Sequence, residues 1–560
     1  MRGYLNRFAV GLLAGSMLVL PAFAEPSVVV LGGGGDSSDV VATCGDLAAS
    51  PFEAGREGRG LSDEQVFIDG ATEACEAALA ANPDSAEVKT WLARAYVLAG
   101  RRDAARPLLE DAGAAGNAFA TYLLANLVGK TLDRTVPEDP DRAVQLLIAA
   151  SDAGFAPAEA DLGERYEKGD GVAQNFPEAL RLYQRASDGG VGLASYKAGS
   201  FFAHASGIDL DFGRATELYN RAIAQGEPRG NYGLGEMYEF AIGVAQDYAK
   251  AAEHYQLAAD QGEMMAQTSL AYLYGQGLGV PQDYSKSFAL LVDAAAQNYG
   301  MAQAALSLAY LFGEGTEVDL AKGFDLAWSA QRAGVVYAEG ILGYIYEEGL
   351  GAKRDLPNAL FHYQAGADQG DQYSAGQLPN VETQMACLDA AGAPSEPGVI
   401  PGVTFEAIDP AIAIPACEAA VNTNSNIGNR VWLARAYVKD GDFDQAIPIL
   451  EEGIAAGNVL AHVVLGDMLL NGMGIDADPA RAIELYRAVS SDFGLAQYAL
   501  GLAYAYGNGV AEDRAEAIRW LRMAELYGVA LATEQIAALQ EEADPDAVDL
   551  SGFGREGPGY

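Results

Sequence analysis

Histidine and cysteine are scarce in this chain, with four of each in 560 residues. That leaves little material for a metal centre, and no His/Cys/Asp/Glu group stands at zinc-ligand spacing. Basic residues are few as well: 35 Lys and Arg face 77 Asp and Glu, a formal charge of −42. Such a surface repels nucleic acid and anionic headgroups, which excludes both as broad-face partners. Beyond the N-terminus there is no apolar run of the roughly 20 residues that a transmembrane helix needs, so no membrane anchor is expected. No Ser or Cys nucleophile signature is present. The glycine clusters follow no strand, as a phosphate-binding loop would require. Val128-Gly129-Lys130-Thr131 ends like a nucleotide loop, yet Leu124 stands where its first glycine belongs. These absences point away from an enzyme and from any bound cofactor or metal.

Half of the chain is hydrophobic and 20% is charged, a globular balance. The first 24 residues have the parts of an export signal. Arg2 and Arg7 give a positive start, Phe8 to Leu20 is uncharged and apolar, and Ala22-Phe23-Ala24 supplies the small–x–small cleavage pattern. The expected product begins after Ala24 and is periplasmic or secreted. Residues 25–43, with Gly32-Gly33-Gly34-Gly35, read as a flexible leader.

The strongest feature is repetition. From Ala156 to Asp371 the sequence restarts every 36 residues, six times without a gap. One column holds Tyr166, Phe202, Tyr238, Tyr274, Tyr310 and Tyr346. Three residues earlier stand Gly163, Gly199, Gly235, Ala271, Ser307 and Gly343, all small. Each unit closes on glycine, as at Gly226 and Gly262, with Asn298 the exception. Within each repeat, two stretches carry apolar residues three and four apart, the spacing of one helical face. A glycine-rich connection separates them, such as Gly275-Gln276-Gly277-Leu278-Gly279-Val280. One helix hairpin cannot bury its own apolar face, but stacking neighbours does so. The expected fold is all-α, a right-handed α-solenoid of antiparallel helix hairpins with disulfide-linked caps.

Leu234-Gly235-x-x-Tyr238, followed by Gly243-Val244, Asp247-Tyr248, Lys250-Ala251-Ala252 and His254-Tyr255-x-x-Ala258-Ala259, resembles the Sel-one-like repeat, a relative of the tetratricopeptide repeats. The resemblance implies a protein-interaction scaffold, often exported or envelope-associated, with no shared catalysis. Solenoid scaffolds of exopolysaccharide export are similar too, which implies a glycan or peptidoglycan partner as the alternative. Some cysteine-rich relatives are credited with penicillin hydrolysis. Those carry a disulfide in each repeat, whereas residues 156–371 contain no cysteine.

A larger duplication frames the array. Trp91-Leu92-Ala93-Arg94-Ala95-Tyr96-Val97 recurs as Trp432-Leu433-Ala434-Arg435-Ala436-Tyr437-Val438, and Ala74-Cys75-Glu76-Ala77-Ala78 as Ala416-Cys417-Glu418-Ala419-Ala420. Four cysteines allow three pairings. The duplication favours Cys44–Cys75 with Cys387–Cys417, one bridge per module, and free redox thiols are the alternative. The resulting layout is a cysteine cap (44–85), a tetratricopeptide-like and first-repeat segment (86–155), and the six repeats (156–371). A junction with the second cysteine module (372–426), a further hairpin with repeats (427–540) and an acidic tail (541–560) complete it.

Stacked hairpins offer a groove lined by their first helices. Residues three before, one after and four after the small column should face it: Tyr196, Tyr232, Glu236, Glu239, Tyr272, Tyr344 and Glu347. Tyrosines give rigid amphipathic contact area and glutamates favour a basic or amine-bearing partner. Other exported or envelope proteins are therefore the expected partners. His254 and His362 lie three whole repeats apart and share a column rather than a site.

Overall fold

The computed structural model describes residues 37–53, 56, 60–129, 139–204, 208–394 and 402–541. The expected export signal, most of the leader and the tail from 542 lie outside these. Among the described residues there are 27 α-helices, one short 3-10 helix and no strand. No helix among them is long and apolar enough to cross a membrane.

Local chemistry sets the hairpin. First helices end on glycine in the left-handed region, at Gly277 (φ 69°), Gly313 (φ 71°) and Gly349 (φ 73°), a conformation that costs glycine no Cβ clash. The second helix then starts on an aspartate. The Asp247, Asp283 and Asp319 carboxylates accept from the backbone N–H of Lys250, Lys286 and Lys322 at 3.0–3.1 Å, each cap contributing about 1 kcal/mol. The backbone N–H of the same aspartates donates to the carbonyls of Tyr238, Tyr274 and Tyr310, closing the turn. Those aromatic rings are half-buried under the lysines, with ammonium-to-centroid distances of 5.0, 5.0 and 5.2 Å. Asn298, where the closing glycine is replaced, keeps a positive φ of 61°, which asparagine tolerates better than other side chains.

The aromatic column would be expected to fill the space beside the small column three residues earlier, but it does not. The first-helix aromatics lie under the lysines, and the rings against the small residues come from the second helix. A Cβ on Gly235 would stand 2.5 Å from the Tyr255 ring, and one on Gly343 2.6 Å from Tyr363. Gly199 meets Tyr219 and Gly163 meets Tyr183 in the same way. Where the column holds Ala271 or Ser307, the facing position is Leu291 or Ala327. Volume is traded between glycine and tyrosine and between Ala271 and Leu291, as close packing demands, whereas Ser307 faces the small Ala327 and donates to the Gly323 carbonyl at 2.6 Å.

The chain divides into two compact units between Asn298 and Tyr299. In the N-terminal unit, helix Ser37–Ala48 is bridged to Ile68–Ala81 by Cys44–Cys75, with Cα atoms 4.7 Å apart. The hairpin Ala86–Leu98/Arg102–Ala114 follows, and further hairpins stack in chain order. In the C-terminal unit two hairpins lead to the helix Gln372–Ala391. It packs on Pro410–Thr423 through Cys387–Cys417, with Cα atoms 4.5 Å apart. The hairpin Ile427–Asp440/Phe443–Ala455, two more hairpins and a closing helix complete that unit.

Each cysteine module is pinned to its hairpin by the arginine of the duplicated motif. Buried Arg94 donates to the Ala48 and Leu61 carbonyls at 3.1 and 2.8 Å, and to Asp63. Buried Arg435 donates to the Ala391 and Val403 carbonyls at 2.8 Å each. Hydrogen bonds from a charged donor contribute about 1.5–3 kcal/mol apiece.

Candidate functional site

The seven groove candidates separate once their side chains are placed. Glu239 and Glu347 are buried, 3% and 4% exposed, and do not line an open face. The reason is the second-helix tyrosine. Its hydroxyl passes the small column and donates to the carboxylate beyond: Tyr183 to Glu167 at 2.6 Å, Tyr255 to Glu239 at 2.6 Å and Tyr363 to Glu347 at 2.7 Å. Glu347 also accepts from Gln384 at 2.6 Å and Asn424 at 3.0 Å, so it ties the last central hairpin to the second cysteine module. Tyr232 is buried as well, its ring 5.7 Å from that of Tyr255. Tyr344, half-buried, sits 6.1 Å from the Phe312 ring in the C-terminal unit. Tyr272 is half-buried, and burial raises its hydroxyl above the ordinary range.

Tyr196, Tyr232 and Glu236 do come together, on helices Gly192–Ala203 and Arg229–Glu239 of successive hairpins. The Tyr232 hydroxyl donates to Glu236 at 2.8 Å. Tyr196 is half-buried with its ring 5.8 Å from Tyr219. Burial and then the nearby Glu236 hold the Tyr196 hydroxyl well above its usual value. The buried Tyr219 hydroxyl reaches no carboxylate among the described residues. Its column-mates reach a glutamate, but in this repeat the corresponding residue is Ala203. That break in the column was visible in the sequence, and only the tyrosine–carboxylate pairing gives it meaning.

Electrostatics sharpen the site. Burial pushes the Glu236 carboxyl up to about 8; the Tyr232 hydroxyl opposes this, and Glu239 and Glu263 add to it. Glu239 is raised to about 7 by burial against the Tyr255 hydrogen bond. Glu263, which caps the next first helix through the Ala266 N–H, is also raised to about 7 by burial. Arg229 lies 3.8 Å from Glu263. Tyrosine faces beside a carboxyl that ionises readily once a positive charge arrives are suited to a cation.

The histidines follow the repeat. His254 stacks on Tyr238 at 5.8 Å and His362 on Tyr346 at 5.6 Å, both as packing partners. No group of His, Cys, Asp and Glu among the described residues could hold a metal ion.

Comparison with known families agrees with the hairpins. The Sel1 repeat matches residues 118–155, 156–191, 192–227, 228–263, 265–299, 300–327, 336–371, 459–488 and 494–525, more than half of the chain. The tetratricopeptide repeat matches residues 68–127. No protein of curated function matches. Among solved structures, the chain is similar to c5321, a protective antigen of uropathogenic Escherichia coli displaying an SLR fold. The two are 26% identical over 78% of this chain and 90% of that one, with a TM-score of 0.41. It is also similar to a Sel1 repeat protein from Oxalobacter formigenes, 27% identical over 43% of this chain and 96% of that one, with a TM-score of 0.40. Capped hairpins repeating at this period, matched along most of their length, place the chain in the Sel1 repeat family, whose members are generally non-catalytic scaffolds for protein interaction.

Proposed function

We propose that this chain is an exported scaffold that holds envelope or secretion proteins by cationic segments laid against Tyr196 and Glu236, with the buried Tyr232 hydroxyl holding the Glu236 carboxyl from beneath. The observation that carries the reading is Glu236, a half-buried carboxyl that accepts from the Tyr232 hydroxyl at 2.8 Å and acts on the nearby Tyr196 hydroxyl. An ammonium or guanidinium group replaces the proton there and gains both the carboxylate and the ring faces. The chain's charge of −42 draws such partners in. Export is supported by the signal-like residues 1–24 and by two disulfides, which persist in oxidising compartments.

Capture releases a proton from Glu236, so affinity for a cationic partner rises as pH climbs toward about 8 and levels off above it. Affinity capture from an envelope extract tests the reading, comparing the native chain with a Tyr232→Phe/Glu236→Gln double variant that keeps the ring and the shape of the carboxyl. Loss of basic partners from the variant is expected at equal helicity. Equal capture by the two proteins would refute the assignment. N-terminal sequencing of the mature protein should begin at Glu25.

A further inference from the structure

The two copies of the cysteine-capped module share a backbone plan and differ in what fills it. The copies keep one register beyond the duplicated motif, with Pro107, Leu109 and Asn117 answered by Pro448, Leu450 and Asn458. Asn117 and Asn458 accept from the N–H of Ala120 and Ala461 at 2.8 and 3.0 Å, so the following helices start alike. In the N-terminal copy that helix carries Phe119 and Tyr122. Their rings pack at 5.3 and 5.2 Å from Phe155, and the Arg94 guanidinium lies 5.7 Å over Phe119. The C-terminal copy has Leu460 and Val463 in the same places. Both are smaller, and a cavity of about 330 Å³ opens between Arg435, Leu460, Val463, Val464, Met473 and Leu495. A cavity of about 150 Å³ already accepts benzene. Glu406 and Asp467 place two carboxylates in the same lining.

We propose that this cavity receives an aromatic side chain of a partner protein, carried next to a basic residue. The guest ring occupies the room that Phe119 and Tyr122 fill in the other copy and lies against the Arg435 guanidinium as Phe119 lies against Arg94. Glu406 pairs with the neighbouring cation, and Asp467, which already accepts from the Tyr486 hydroxyl at 2.6 Å, adds negative charge beside it. Together they select a Phe/Tyr–Lys/Arg segment over an acidic one. The site uses no residue of the Tyr196–Glu236 face, so the two readings stand or fall separately.

Calorimetric titration of the full mature chain with acetyl-Lys-Phe-Lys-amide and with acetyl-Lys-Ala-Lys-amide tests it. The phenylalanine peptide should bind at least tenfold more tightly. A Leu460→Phe/Val463→Tyr variant, which rebuilds the filling of the N-terminal copy, should bind both peptides alike without a lower melting temperature. Equal affinity of the two peptides for the native chain would overturn the proposal. So would a correctly folded double variant that still prefers phenylalanine. Should the variant melt early, photo-crosslinking of the native chain with the benzoylphenylalanine form of the peptide decides instead. Adducts at Phe405, Glu406, Arg435 or Val438, between residues 460 and 473, or at Leu495 support the site, and adducts elsewhere dismiss it.

Discussion

Gly343 and Tyr363 act as one piece: the ring lies where a Cβ would be. Gly343→Ala should therefore destabilise by about 1–3 kcal/mol through overpacking. Adding Tyr363→Leu should recover only part of that loss in thermal unfolding. It removes the ring but also its hydrogen bond to buried Glu347, and the sister repeat that pairs Ala271 with Leu291 has Gly275 in place of that glutamate. The acidic residues give a second expectation. Glu236, Glu239 and Glu263 all titrate above the ordinary 4.5 in the folded protein. The folded state then holds more protons than the unfolded chain between about 4.5 and 8, so stability falls as pH rises through that window. Melting should be higher at pH 5 than at pH 8.5, and replacing the three by glutamine should flatten the difference. The small column could be read from sequence because it repeats. Its partner could not, because Tyr255, Leu291 and Ala327 look like drift until their facing residues are known. Glu239 and Glu347 were placed on the groove by helical register alone, which does not reveal a tyrosine reaching past the small column from the second helix.

At the scale of elements, the cysteine modules are the parts held by covalent and charged links at once. Closing a loop of about 30 residues contributes roughly 3–4 kcal/mol by loop entropy. Replacing Cys387 and Cys417 by serine should lower the melting of the C-terminal unit. Hydrogen exchange should rise first in Gln372–Ala391 and Pro410–Thr423, the two helices the bridge joins. Exchange that rises equally in every helix would show that the bridge does not act locally. The pairing itself was readable from the duplicated motifs. The role of Arg94 and Arg435 was not, because their acceptors include backbone carbonyls, which leave no residue signature.

Across the whole molecule, acidity and repetition set the behaviour. A chain of −42 attracts cationic partners through a field that salt screens over about 10 Å at 0.1 M and about 3 Å at 1 M. Capture of basic partners should weaken steadily with added salt, measured by surface binding at fixed pH, whereas stacking of a guest ring on Arg435 should persist longer. Packing has the opposite reach. Within each of the two units every helix touches its successor, and some first helices touch the first helix of the adjoining hairpin. A hairpin therefore presents to its follower nearly the same surface that it accepts from its forerunner. Excising or inserting thirty-six codons in frame would bring together two surfaces already made for each other, so the reading length of this protein is something recombination can adjust, one link at a time, with the disturbance ending at the seam.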